Sequence, residues 1–357
     1  MKALALFILL CFCLSLTCGS LATPEAGEAE MVGIRTIEDL RWQRNGDWIA
    51  FTRDKYYSPS QKIYKIRADG TGLRMFNTSG DTEESPQWDP AGRLIGFHSK
   101  LSGEYKTITM NGTLSSLGIH TGCYDFLGWS PDGKYTACIA HRDNDTHALL
   151  MTPKGKEIAP IGEAGEGDWH PSGRFMVVTR SSPDLTYTHL WEIDTKTKQS
   201  RQLTFGNYSD FSPRYSPQGD LIVFYSPDRQ CQVRRSSVLF IMLRDGSCMA
   251  PVMLPYKSSL VYSGADFSPN GQYLVFARGE WTPSELFTCR LDGSGLRKLT
   301  SFYPDTISGS SRANRPPGKW WIGGNATTAS SRSTSIIIRN VLMPDKKMKI
   351  GAKPVMK

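Results

Sequence analysis

The sequence predicts an all-β chain, a six-bladed β-propeller of four-stranded antiparallel blades, and three observations predict it. A motif of an aromatic residue, a turn and an apolar strand recurs six times in frame. Each copy continues into further strands and turns in one fixed order. The spacing of the copies is that of one propeller blade, about 40 to 45 residues.

The motif comes first in each unit. Trp42 precedes QRNGDWIAF, Trp88 precedes DPAGRLIGF, Trp129 precedes SPDGKYTACIA, Trp169 precedes HPSGRFMVV, Tyr215 precedes SPQGDLIVF, and Phe267 precedes SPNGQYLVF. The turn glycines Gly46, Gly92, Gly133, Gly173, Gly219 and Gly271 are spaced by 46, 41, 40, 46 and 52 residues. Proline fixes φ and has no N–H for a ladder, a polar residue favours the turn, and glycine supplies a positive φ. The aromatic belongs on the innermost strand, packed between neighbouring sheets.

After the turn comes an apolar strand such as Leu221 to Tyr225, then a polar loop and another strand that ends in an acidic or amide residue and glycine. Examples are IYKIRADG at 63–70, TITMNG at 107–112, LFIMLRDG at 239–246 and LFTCRLDG at 286–293. A short last segment follows: LRMF at 73–76, RQLT at 201–204 and LRKLT at 296–300. Four short strands joined by tight turns make one antiparallel sheet. Such a sheet cannot bury both faces alone, and radial packing around an axis solves this.

WSPDG before an apolar strand, with later strands closing in DGSGLRKLT, resembles the TolB-type propeller repeat, a WD40-like PD40 repeat, over roughly residues 38–300. Copies three, five and six match best; copy four carries His170, and the first two lack the SPDG turn but keep the aromatic and glycine. The resemblance implies a TolB-like six-bladed propeller. A degenerate seventh blade would start from PPGKWWIGG at 316–324 and SIIIRNV at 335–341, but Asn314 stands where the aromatic is expected. The expected propeller therefore spans 34–300, and 301–357 is a basic low-complexity tail or a degraded seventh repeat.

Lys2, the apolar run Ala3 to Leu16, and the small residues Ser20 and Ala22 read as a signal peptide over 1–22. The run is shorter than the roughly 20 residues that span a bilayer. The reading is an exported chain, periplasmic or extracellular, with no transmembrane span after cleavage. The net charge of +8 argues against nucleic acid as partner, because the tail from residue 301 holds the whole excess and leaves the body balanced. That tail could touch anionic surfaces. Cys123, Cys138, Cys231, Cys248 and Cys289 follow the signal; Cys231 and Cys248 are either a loop disulfide or two small buried residues.

Chemistry is sparse. No G-x-S-x-G elbow occurs, which excludes the hydrolase domain of prolyl-oligopeptidase relatives. Six scattered histidines include His98 and His141, and His170 and His189, which could converge but form no H-x-H pair. Asp132 on the third turn has as counterparts Asn45, Ala91, Ser172, Gln218 and Asn270, so it is a replaceable turn residue. Arg41, Asp168, Arg214 and Asp266 precede the inner aromatic and are candidate channel-lining residues, either binding a ligand or tying blades together. The expectation is a non-catalytic binding or assembly module with a protein partner and no cofactor or metal. The alternative is a glycan-active propeller enzyme of the oligogalacturonate lyase kind.

Overall fold

The structure, a computed structural model, describes residues 37–54, 61–76, 82–120, 122–142, 145–227, 229, 239–254, 260–279 and 284–302. The expected signal peptide, seventh repeat and Cys231 lie outside the described residues.

Among the described residues, twenty-four strands form six four-stranded antiparallel sheets. Blade 1 holds β1 (Ile37–Trp42), β2 (Trp48–Asp54), β3 (Gln61–Arg67) and β4 (Arg74–Met75). Blade 2 holds β5 (Glu83–Trp88), β6 (Leu94–Ser99), β7 (Glu104–Thr109) and β8 (Leu114–His120). Blade 3 holds β9 (Cys123–Trp129), β10 (Thr136–Arg142), β11 (Asp145–Met151) and β12 (Glu157–Glu163). Blade 4 holds β13 (Gly167–Trp169), β14 (Phe175–Ser181), β15 (Thr188–Asp194) and β16 (Ser200–Gln202). Blade 5 holds β17 (Phe211–Tyr215), β18 (Leu221–Tyr225), β19 (Leu239–Leu243) and β20 (Ala250–Pro251). Blade 6 holds β21 (Leu260–Phe267), β22 (Tyr273–Gly279), β23 (Glu285–Arg290) and β24 (Arg297–Lys298). Every sheet is a simple meander, and the last inner strand, β21, packs against the first, β1, closing a six-bladed ring.

The strand after each turn is apolar on both faces because each blade has a neighbour on both sides. In β18, Leu221 and Val223 pack toward blade 6, whereas Ile222 and Phe224 pack toward blade 4. In β22, Leu274 and Phe276 face blade 5, and Val275 and Ala277 face blade 1. The described core is thus six inter-blade clusters. At the closing seam, Ile37 N–H donates to Ser284 Oγ at 2.5 Å and Arg297 donates to the Asp69 carbonyl.

Five motif glycines take the expected left-handed conformation, with φ from +68° at Gly92 to +78° at Gly219. Gly46 does not, which corrects that expectation for the first copy. Its turn lacks the SPDG chemistry, and the Gln43 side chain folds over it, with Oε1 2.0 Å from where a Cβ on Gly46 would stand, so a larger residue would displace that side chain. The cysteine expectation is corrected too. The disulfide joins Cys123 and Cys138 on adjacent strands of blade 3, while Cys248 is free and exposed.

Candidate functional site

The six inner strands surround the propeller axis, so each contributes its first residues to one end of a channel and its aromatic to the other. The turn-side end is a cavity of about 180 Å³. Trp42, Trp88, Trp129, Trp169, Tyr215 and Phe267 all line it, together with Arg41, Arg44, Gln87, Asp168 and Asp266. The aromatics also pack between blades, as their repeat position requires: a Cβ on Gly96 of blade 2 would meet the Trp129 ring of blade 3 at 2.4 Å.

Three of the four charges chosen from the sequence line this cavity, and the fourth, Arg214, is buried beside them. Each bonds to an adjacent blade. Trp42 N–H of blade 1 donates to Asp266 Oδ2 of blade 6 at 2.7 Å, and Tyr215 N–H of blade 5 donates to Asp168 Oδ2 of blade 4 at 2.9 Å. Arg41 Nε donates to Gln87 Oε1 of blade 2 at 2.9 Å, and Arg214 Nη1 donates to the Gly167 carbonyl of blade 4 at 3.3 Å. Gln87 passes the chain on to the Phe126 carbonyl of blade 3 at 3.1 Å. At Gly128, where φ is +85°, the equivalent position has no side chain and Gln87 packs over it, 3.2 Å from where a Cβ would stand.

Burial dominates the titration of this ring. It pushes Asp266 up to about 6, Arg41 opposing and Asp168 reinforcing the shift. It brings Arg41 down to about 10, helped by the positive charge of Arg214. The mouth is a ring of opposed charges within an aromatic collar, with the half-exposed Arg44 above Asp168.

Two departures from the SPDG turn form latches that sequence reasoning passed over. Gln43 and His170 replace the first polar turn residue in copies one and four. Gln43 Nε2 donates to the Gly92 carbonyl of blade 2 at 2.6 Å, and His170 Nε2 lies 3.2 Å from the Gly219 carbonyl of blade 5. Both reach the turn glycine of the following blade. The signal was present in the sequence, since the same position breaks the repeat in both copies.

The opposite end is a wider recess of about 470 Å³, lined by Glu38, Asp39, Glu84, Asp125, Glu163 and Glu166 with Arg180. Asp39, Ser85 and Ser212 adopt positive φ here, where the inner ladders shift register. Carboxylates hold these bends: Ser85 N–H donates to Asp39 Oδ2 at 3.1 Å, and Ser212 N–H donates to Glu166 Oε2 at 2.5 Å. Burial, then the charge of Asp125, pushes Asp39 up to about 6 against the Ser85 N–H and Arg41.

The histidine pairs stay in separate settings. His98 packs on Tyr105 in blade 2 with Nδ1 3.9 Å from Glu84, and His141 stacks on Tyr124 in blade 3. His170 serves its latch, and His189 is buried on β15. Among the described residues no group of three or more His, Cys, Asp or Glu side chains is placed to hold a metal ion.

No family model matches the sequence. An uncharacterised protein of Agrobacterium fabrum is 25% identical over 162 residues, 42% of this chain; the matched region spans 53% of that relative's length. TolB from Acinetobacter baumannii has a similar structure at a TM-score of 0.59 and 18% identity, covering 71% of this chain and 63% of that one. A candidate TolB from Agrobacterium tumefaciens gives a TM-score of 0.55 at 18% identity, covering 64% of this chain and 84% of that one. At such identity the likeness establishes the fold, a TolB-like six-bladed propeller.

Proposed function

We propose that this chain, a TolB-like propeller by fold, is an exported, non-catalytic module that binds a partner protein at the turn-side mouth of its channel. The carrying observation is that the charged groups of that mouth are already bonded from blade to blade, Asp266 to Trp42, Asp168 to Tyr215 and Arg41 to Gln87. Groups held in this way build a rigid, preformed surface, and preorganisation lowers the entropic cost of docking. A cavity of about 180 Å³ holds about six waters at ~30 Å³ each, the scale of one side chain.

The Cys123–Cys138 disulfide supports the export reading, because such bonds persist in oxidising compartments. The six separate cores support a scaffold role, since no blade needs to move for its neighbour to be buried.

The test is capture of a defined partner from the native envelope or medium with the full chain as bait, beside incubation with uronate oligosaccharides and divalent metal. The reading expects a stoichiometric partner and no unsaturated product. Metal-dependent release of unsaturated uronate would overturn it in favour of a lyase.

A further inference from the structure

Position two after the inner aromatic is proline in five blades: Pro90, Pro131, Pro171, Pro217 and Pro269. In blade 1 it is Arg44. Proline suits this turn because its φ is preset, so its replacement by a long cation is a local departure of the sort that marks functional positions.

The structure shows what the departure does. Arg44 leaves the turn of blade 1 and crosses the mouth to blade 4, halfway round the ring. Its Nη2 donates to the Trp169 carbonyl at 3.2 Å and lies 4.0 Å from Asp168 Oδ1. The side chain is 45% exposed, and a half-exposed pair at this separation is weak and easily displaced. Below it, Trp169 is 2% exposed and its Nε1–H, unlike those of Trp42 and Trp88, has no hydrogen-bond partner among the described residues. With Arg44 removed, the ring keeps Asp168 and Asp266 against Arg41 and the buried Arg214, so its charges balance without Arg44, and what Arg44 vacates is its place beside Asp168 Oδ1 and the Trp169 carbonyl.

We propose that the turn-side mouth is a receptor for the arginine side chain of a partner protein, and that Arg44 is its built-in occupant, displaced when the partner docks. The partner's guanidinium takes the place of Arg44 beside Asp168 and the Trp169 carbonyl, and its alkyl stem lies within the aromatic collar, which also favours a cation. A tethered occupant competes at high effective concentration, so it screens out isolated arginine and admits only a guest held by further contacts. This inference rests on the binding-module reading and specifies its ligand.

The probe is N-acetyl-arginine amide, added to the full chain and followed by calorimetry and tryptophan fluorescence. Arg44→Gln should bind it at least about tenfold more tightly than wild type, the tethered competitor being gone. Asp168→Asn added to Arg44→Gln should abolish that gain, and N-acetyl-norleucine amide should bind neither. Arg44→Pro, which restores the repeat's own turn residue, should reproduce the gain and guards against misfolding of the glutamine variant. Equal affinity in wild type and both variants would overturn the proposal. So would an acidic probe, N-acetyl-glutamate amide, that binds wild type and is lost in Arg44→Gln. Arginine binding without any captured partner would sink the module reading alone, whereas a partner indifferent to Arg44 and to the probe would sink this inference alone.

Discussion

The two ends of the channel are built by different means. At the turn-side end, groups at repeat-defined positions make the wall: one aromatic per blade and, just before it, the charged residues that bond sideways. At the opposite end, bulged inner strands hold Asp39, Ser85 and Ser212 at positive φ and gather six carboxylates in a wider recess. The first end is bonded sideways from blade to blade, and the second holds non-glycine residues at positive φ in a recess where carboxylates outnumber the lining cation Arg180. In this propeller the repeat itself builds the turn-side mouth, and single-blade exceptions such as Arg44 reach across it.

The largest expected difference lies in the collar. Trp169→Ala removes a fully buried ring from the cluster between blades 3 and 4 and should cost about 3–5 kcal/mol in denaturant unfolding. A loss under about 1 kcal/mol would mean the collar is not part of the core. Next is the anchor of Tyr215, whose hydroxyl donates to the buried Glu192 at 2.8 Å, an acceptor shared with Arg201 and Arg244. Glu192→Ala leaves that phenol without its acceptor and should cost about 1–3 kcal/mol.

At the acidic end the sign reverses. The folded-state pKa of Asp39 is raised to about 6, so its ionised form is penalised in the fold; the cost is present above pH about 6 and disappears as pH falls toward the unfolded value near 4. Asp39→Asn should therefore stabilise the protein at pH 7–8 by about 1 kcal/mol and give no gain near pH 4, read as the difference in unfolding midpoint across pH. Asparagine also tolerates the +51° φ of this position. The smallest effect is Arg44→Pro, expected to stabilise by about 0.4–1 kcal/mol through the unfolded chain.

Six blades, their strand order and the position of the inner aromatics were legible because each copy carries its own turn and strand chemistry, and six copies reinforce one another. Arg41, Asp168 and Asp266, which line the cavity, were legible as candidates for the same reason, by their place before the aromatic; Arg214 shares that place but is buried beside the cavity. Their bonding was not, because whether Asp168 meets a cation or the Tyr215 N–H depends on the stagger between blades, and no local pattern encodes that. Arg44 was missed although it breaks a run of five prolines, since its partner is 125 positions away on the opposite blade. Cys123 and Cys138 were unpaired in the sequence reading because a cross-strand pair needs the register of β9 and β10, in which Cys123 faces Ala140 and Cys138 faces Phe126.

The most direct test of the account places a photo-cross-linking residue at Lys134, exposed on the turn-side rim, and separately at Leu185, 79% exposed on the opposite face. The account predicts that the native partner is trapped from Lys134 and not from Leu185, and that N-acetyl-arginine amide competes with trapping. Trapping from Leu185 alone would contradict it.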